Sequence, residues 1–132
     1  MGAEPYDYVV PYEVDFESAL QKLRDEVFDS GAFRGAEFGP SSPEEAMAMM
    51  GADGTGSILD ILAVGDTPDF CTAAPLTDDE LLDYFGTTTP TRADINQSGN
   101  FWEDIERGHC RIVVLHEGGL PSALFFAGYS FD

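Results

Sequence analysis

The sequence predicts an α+β fold: a single compact domain over residues 1–132, with a mostly antiparallel sheet, a C-terminal hairpin and short helices packed on one face. Three observations lead there. Two apolar runs, 110–116 and 122–131, flank the pair Gly118-Gly119, which is a hairpin signature. Residues 15–31 repeat apolar side chains at helical spacing. Hydrophobic residues make up 43% of the 132-residue chain and aromatics 12%, enough for the core of one domain.

The elements follow in order. Tyr6 to Tyr12 is aromatic and β-branched, so it is expected to be a strand, and Pro11 belongs at its end or on a sheet edge because it cannot donate to a ladder. Tyr6, Tyr8 and Tyr12 share one face, which is either a binding surface or core beneath the first helix. Asp15 opens that helix as a cap, Glu17 favours its positive end, and Phe16, Ala19, Leu20, Leu23, Val27 and Phe28 form its apolar stripe up to Gly31. A loop holding Phe33 and Phe38 leads to Ser42-Pro43-Glu44-Glu45, where a serine cap, a proline at N1 and a capping box are expected to start a helix ending at Gly51. Ser57 to Val64, bounded by glycines, suits a strand, with a short helix as the alternative. Residues 66–75 are expected to be a loop.

Thr77-Asp78-Asp79-Glu80 is a second capping box, with Leu81, Leu82, Tyr84 and Phe85 as the stripe behind it. Thr91 to Asp94 can start another turn, and Phe101 to Arg107 is expected to form a short helix stopped by Gly108. In the final strand Gly128 marks a bulge or a close backbone approach. That strand runs to within one residue of the end of the sequence, so it is expected to be central or well packed rather than frayed.

Charge sets the function classes. Acids outnumber bases 25 to 6, for a formal net charge of −19, yet charged residues are only 23% of the chain. Bases are missing, with Lys22 the one lysine. The apolar content excludes a disordered acidic tail. Six scattered bases cannot build the basic patch that direct nucleic-acid binding needs. No apolar run approaches the roughly 18 residues of a membrane span. Met1 to Pro5 lacks the basic and apolar regions of a secretory signal, so a cytoplasmic setting with reduced thiols is expected for Cys71 and Cys110.

The chemical motifs fail one by one. Gly51 to Ser57 resembles a calcium loop, but setting Gly56 at the turn glycine puts Gly51 and Leu62 where an acid and a bidentate glutamate are required. The stretch has no P-loop lysine, and no nucleophile elbow exists. Alternation lets Cys110 and His116 share a face with Ile112 and Val114 between them, a core face rather than a metal site, and His109 points away. Asp69 beside Cys71 raises a thiol pKa rather than activating it. No cofactor motif and no catalytic residue set emerges.

The acids are more informative. Asp25, Glu26 and Asp29 crowd the C-terminal end of the first helix, where the helix dipole disfavours them. Asp79 and Asp83 lie on the third helix, and Glu103, Asp104 and Glu106 surround Trp102, the one tryptophan. These nine residues are the expected surface for a basic protein partner, a toxin or a nucleic-acid-binding protein. The leading expectation is therefore a non-enzymatic acidic interaction protein, of the immunity-protein or antitoxin kind. Excess carboxylate also serves solubility in salt. Two other classes stay open: a small enzyme or ligand-binding domain with a pocket near Gly54, Gly56, Gly128, Asp69 and Cys71, and a subunit of a larger assembly or homo-oligomer.

Overall fold

A computed structural model describes residues 3–131. The chain runs β1 (Pro5–Pro11), α1 (Phe16–Ser30), α2 (Pro43–Met50), β2 (Ala63–Val64), β3 (Thr72–Pro75), α3 (Asp78–Phe85), α4 (Arg92–Gln97), α5 (Gly99–Glu103), β4 (His109–Glu117) and β5 (Leu120–Tyr129). The strands form one sheet in the order β1-β5-β4-β3-β2. β5 pairs antiparallel with both β1 and β4, whereas β4 with β3 and β3 with β2 are parallel. The fold is α+β as expected, but the sheet is mixed rather than mostly antiparallel. The reason is the connection from β3 to β4: three helices intervene, long enough to bring the chain back in the same direction.

Local signals explain most of the elements. Asp15 caps α1 by accepting from the Ser18 amide at 3.2 Å, and the helix stops at Gly31. Thr77 and Glu80 form the complete box at α3, and Thr91 with Asp94 repeats it at α4. At α2 the Ser42 hydroxyl accepts from the Glu45 amide, but the box is not closed; the Glu45 carboxylate turns to the Ser41 amide and hydroxyl instead. Gly118 and Gly119 take φ of +61° and +80°, the left-handed pair that a two-residue hairpin turn requires.

Three expectations give way. Ser57–Val64 is not a strand: Ile58–Asp60 is a 3-10 turn capped by Ser57, and only Ala63–Val64 pairs in the sheet. The segment 66–75 is not all loop, since Thr72–Pro75 is β3, held between two parallel neighbours. The helix near Trp102 spans Gly99–Glu103 and so ends before Arg107.

The helices also cover both faces of the sheet, not one. On the first face α1, α2 and the 58–60 turn bury Leu20, Leu23, Ala46, Ile58 and Leu59 against Tyr6, Cys110, Ile112, Leu124 and Phe126. On the second, α3, α4 and α5 bury Leu81, Ile95 and Phe101 against Val113, Leu115, Phe125 and Ala127. β4 and β5 are thus apolar on both sides, while β5 sits centrally, as expected. Tyr6 belongs to the first core, with Tyr8 and Tyr12 half-buried against it, so the tyrosine face packs on the core and is not a free surface. Gly128 marks the close approach: a Cβ there would lie 2.5 Å from the Tyr6 hydroxyl and 2.6 Å from the His109 carbonyl.

The first core contains one fully buried acid, Asp60. Its Oδ1 accepts from the Thr55 amide at 2.7 Å and the Thr55 hydroxyl at 2.8 Å, while Oδ2 finds no partner among the described residues. Burial raises its pKa above the usual carboxylate value, and the Thr55 bonds only partly oppose that. A raised folded pKa means that stability from the neutral form is present below the unfolded pKa and is lost as pH rises through the folded value. Ionised Asp60 is therefore a cost at neutral pH. Asp60→Asn keeps the acceptor for Thr55 and removes the charge, so its melting temperature is expected to exceed the wild type's by a few degrees at pH 7.5. The gain shrinks as pH falls toward 4. Thermal denaturation at both pH values checks this, and a lower melting temperature at pH 7.5 contradicts it.

Candidate functional site

The expected acidic surface divides in two. Asp25, Glu26 and Asp29 are exposed on α1, outside the first core. Asp79 and Asp83 on α3, with Glu103, Asp104 and Glu106 around the end of α5, are exposed outside the second core, across the sheet. The nine residues therefore do not make one continuous patch. Alternation along β4 and β5 commits α1 to one face and α3–α5 to the other.

The α3–α5 group is the better organised. A cleft of about 310 Å³ opens between these helices, lined by Glu80, Asp83, Tyr84, Asn100 and Asp104. The Tyr84 hydroxyl donates to Asp104 Oδ2 at 2.7 Å. Partial burial, then that bond and the charge of Asp104, push the phenol up to about 12, so it stays a donor at any physiological pH. Glu80 is held apart from the free acids. Its carboxylate receives the Arg111 fork at 2.7 and 3.0 Å, and that hydrogen bonding lowers its pKa. The sequence singled out neither Tyr84 nor Glu80 as site residues.

Trp102 is half-buried and stands edge-on to Phe101 and Tyr129, with centroids 5.9 and 5.7 Å away. It forms a ridge between two clefts. One, of about 400 Å³, is lined by Pro5, Tyr6, Asp7, Trp102 and Tyr129. The other, of about 270 Å³, adds Glu103, Ile105 and Arg107. Asp7 and Tyr129 carry no signal in the sequence, because only β1–β5 pairing brings them to Trp102.

Few cations oppose this surface. Lys22 pairs with Glu13, Arg24 with Glu44, Arg34 with Glu4 and Arg111 with Glu80. Arg92 lies over the Phe125 ring at 5.2 Å. At least four of the six bases are thus engaged with carboxylates among the described residues, and the carboxylates outnumber them many times over.

The residues considered for chemistry do not converge. Gly128 is filled by the Tyr6 ring. Gly54 adjoins Asp60 and Phe131, and Gly56 adjoins Glu4 and Arg34. Cys71 is half-buried at φ +60°, and burial, then the charges of Asp60 and Asp69, push its thiol up, away from the nucleophilic thiolate. Asp69 is engaged by the Phe70 amide. Cys110 is buried among Tyr6 and Ile112, with its thiol pushed up to about 12 by desolvation. A register shift between Leu115 and His116 breaks the alternation that would place His116 on the face of Cys110. Both cysteines are free thiols. Among the described residues no group of three or more His, Cys, Asp or Glu is arranged to hold a metal, and no helix is long and apolar enough to cross a membrane. Comparison of the chain with protein-family models, with characterised proteins and with solved structures returns no match.

Proposed function

We propose that this chain is a non-enzymatic acidic interaction protein that neutralises a basic protein, acting as an immunity protein or antitoxin does, with carboxylates taking the place of phosphates. The observation that carries this reading is the disposition of charge. Lys22, Arg24, Arg34 and Arg111 are paired with carboxylates of the chain, while Asp79, Asp83, Glu103, Asp104 and Glu106 stay exposed on α3 and around the end of α5, Asp83 and Asp104 lining a cleft edged by the Tyr84 hydroxyl. Such a surface attracts a cationic partner over a Debye length and speeds its encounter. Trp102, with one side packed and the other open, is the aromatic anchor beside it. Asp25 and Asp29 of α1 lie across the sheet and serve as an internal control.

The test uses three proteins: the wild type, Asp79→Asn/Asp83→Asn/Glu103→Gln/Asp104→Asn, and Asp25→Asn/Asp29→Asn. Each is immobilised and exposed to source lysate at low salt. The wild type and the α1 variant are expected to retain the same basic protein, and the α3–α5 variant to lose it. Raising the salt to about 0.5 M is expected to release it. Recovery of no basic protein, or equal loss in both variants, rejects the reading.

A further inference from the structure

We infer that the open edge of β1 is a strand-addition site for an extended, basic segment of the partner. The inference rests on the proposed basic partner and specifies how that partner docks. β1 lies at the end of the sheet, beside β5 alone. The Ser130 amide donates to the Glu4 carbonyl, so the pair 4/130 is of the hydrogen-bonded kind. Antiparallel pairs alternate, so Tyr6, Tyr8 and Val10 direct their backbone groups to β5, and Pro5, Asp7, Val9 and Pro11 direct theirs outward. Both prolines fall in the outward phase, where a missing N–H costs the sheet nothing. They leave two outward donors, Asp7 and Val9, between outward carbonyls of residues 5, 7, 9 and 11. That edge is short and fixed in register. It resists indiscriminate pairing but can take one matched strand.

The surroundings supply the pockets that an added strand needs. Its side chains alternate between the two faces of the sheet. On the second face lies the 400 Å³ cleft of Pro5, Asp7, Trp102 and Tyr129. Val9, 45% exposed, continues that apolar strip. On the first face a groove of about 330 Å³ runs between β1 and α1, where Val10, Pro11 and Leu23 stand with Glu13, Lys22 and Glu26. Glu13 is shared with Lys22; Glu26 is exposed and takes part in none of the ion pairs described. Each groove therefore combines apolar walls with a carboxylate, Asp7 on one side and Glu26 on the other. This fits a segment with basic side chains among apolar ones. A second copy of the chain is a poor occupant, because each copy carries −19.

The probe is a blocked peptide with the repeat Arg-Arg-Val-Val, which presents arginine and valine on both faces of an added strand, about as long as the seven residues of β1. A version N-methylated at every residue keeps the charge and loses every strand donor. At low salt the plain peptide is expected to shift Trp102 fluorescence and to slow hydrogen exchange at the Asp7 and Val9 amides. Methylation, or Val9→Pro in the protein, is expected to weaken binding roughly tenfold or more, the value of a hydrogen bond or two. Val9→Pro removes an outward N–H, so its melting temperature is expected to stay near the wild type's; if it falls, the methylated peptide on wild-type protein decides alone. Equal binding of both peptides, or perturbation confined to Asp79, Asp83, Glu103 and Asp104, overturns strand addition and leaves the basic-partner reading standing. Failure of the plain peptide to bind also overturns it. The lysate experiment tests the wider reading separately.

Discussion

Glu80→Ala is expected to destabilise the fold by about 3–5 kcal/mol, more than removal of its partner Arg111. Arg111 is 7% exposed on β4, and its Nε donates to the Ala74 carbonyl at 3.0 Å. Its Nη groups reach Glu80 and the Pro75 carbonyl, so one guanidinium ties β3, β4 and α3 together. Removing Glu80 leaves that cation buried without a counter-charge and also opens the cap of α3, because the same carboxylate accepts from the Thr77 amide. Removing Arg111 instead strands the Ala74 carbonyl but lets Glu80, whose side chain is 31% exposed, turn to water. Arg111→Met is therefore expected to cost about 1–3 kcal/mol. The double variant is expected to be more stable than Glu80→Ala alone. Urea unfolding of the three proteins measures this, and a loss for Arg111→Met as large as that for Glu80→Ala defeats it. The depressed pKa of Glu80 adds a pH signature: its stabilisation is present above the unfolded carboxyl value and lost as pH falls through the folded one.

Gly128→Ala is expected to cost about 3 kcal/mol or more, near the top of the range for overpacking. The new methyl would meet three atoms: the Tyr6 hydroxyl at 2.5 Å, the His109 carbonyl at 2.6 Å and Tyr6 Cζ at 2.7 Å. The carbonyl belongs to β4, which is paired on both sides and cannot retreat. The Tyr6 ring is 7% exposed and has no room to swing. Tyr6→Phe alone is expected to be close to neutral, since the buried hydroxyl has only the weakly bonding Cys110 thiol beside it and no well-formed hydrogen bond. Combined with Gly128→Ala it is expected to recover part of the loss, but not all, because the His109 contact remains. Complete recovery would mean that the phenol alone sets the constraint.

Much of this architecture was legible from single residues. Asp15 and Gly31 bound α1, Thr77 with Glu80 opens α3, and Gly118-Gly119 places the hairpin, because caps and tight turns are local chemistry. β3 was not legible: Thr-Ala-Ala-Pro has little bulk and no alternation, and it is a strand only because β4 and β2 flank it. The second helical layer was signalled and misread. The unbroken apolar stretches Ile112–Leu115 and Ala123–Ala127 are the pattern of strands buried on both faces. At the candidate site, Trp102 and the acids near it could be picked from composition. Asp7, Tyr84 and Glu80 could not, because pairing and crossover decide what they meet.

The pairing of β1 with β5 has a kinetic corollary. β1 can join the sheet only after β5, more than 100 residues later in the sequence, has been synthesised. Until then the tyrosines of residues 6–12 have no neighbouring strand to pair beside, and α1 can reach only part of its core, the 58–60 turn and the earlier strands. Loop closure over that span carries an entropic cost, so pairing of β1 with β5 is expected to be a late step of folding. A nascent chain with so many carboxylates repels its neighbours during that wait, which keeps its uncovered hydrophobic segments from coalescing.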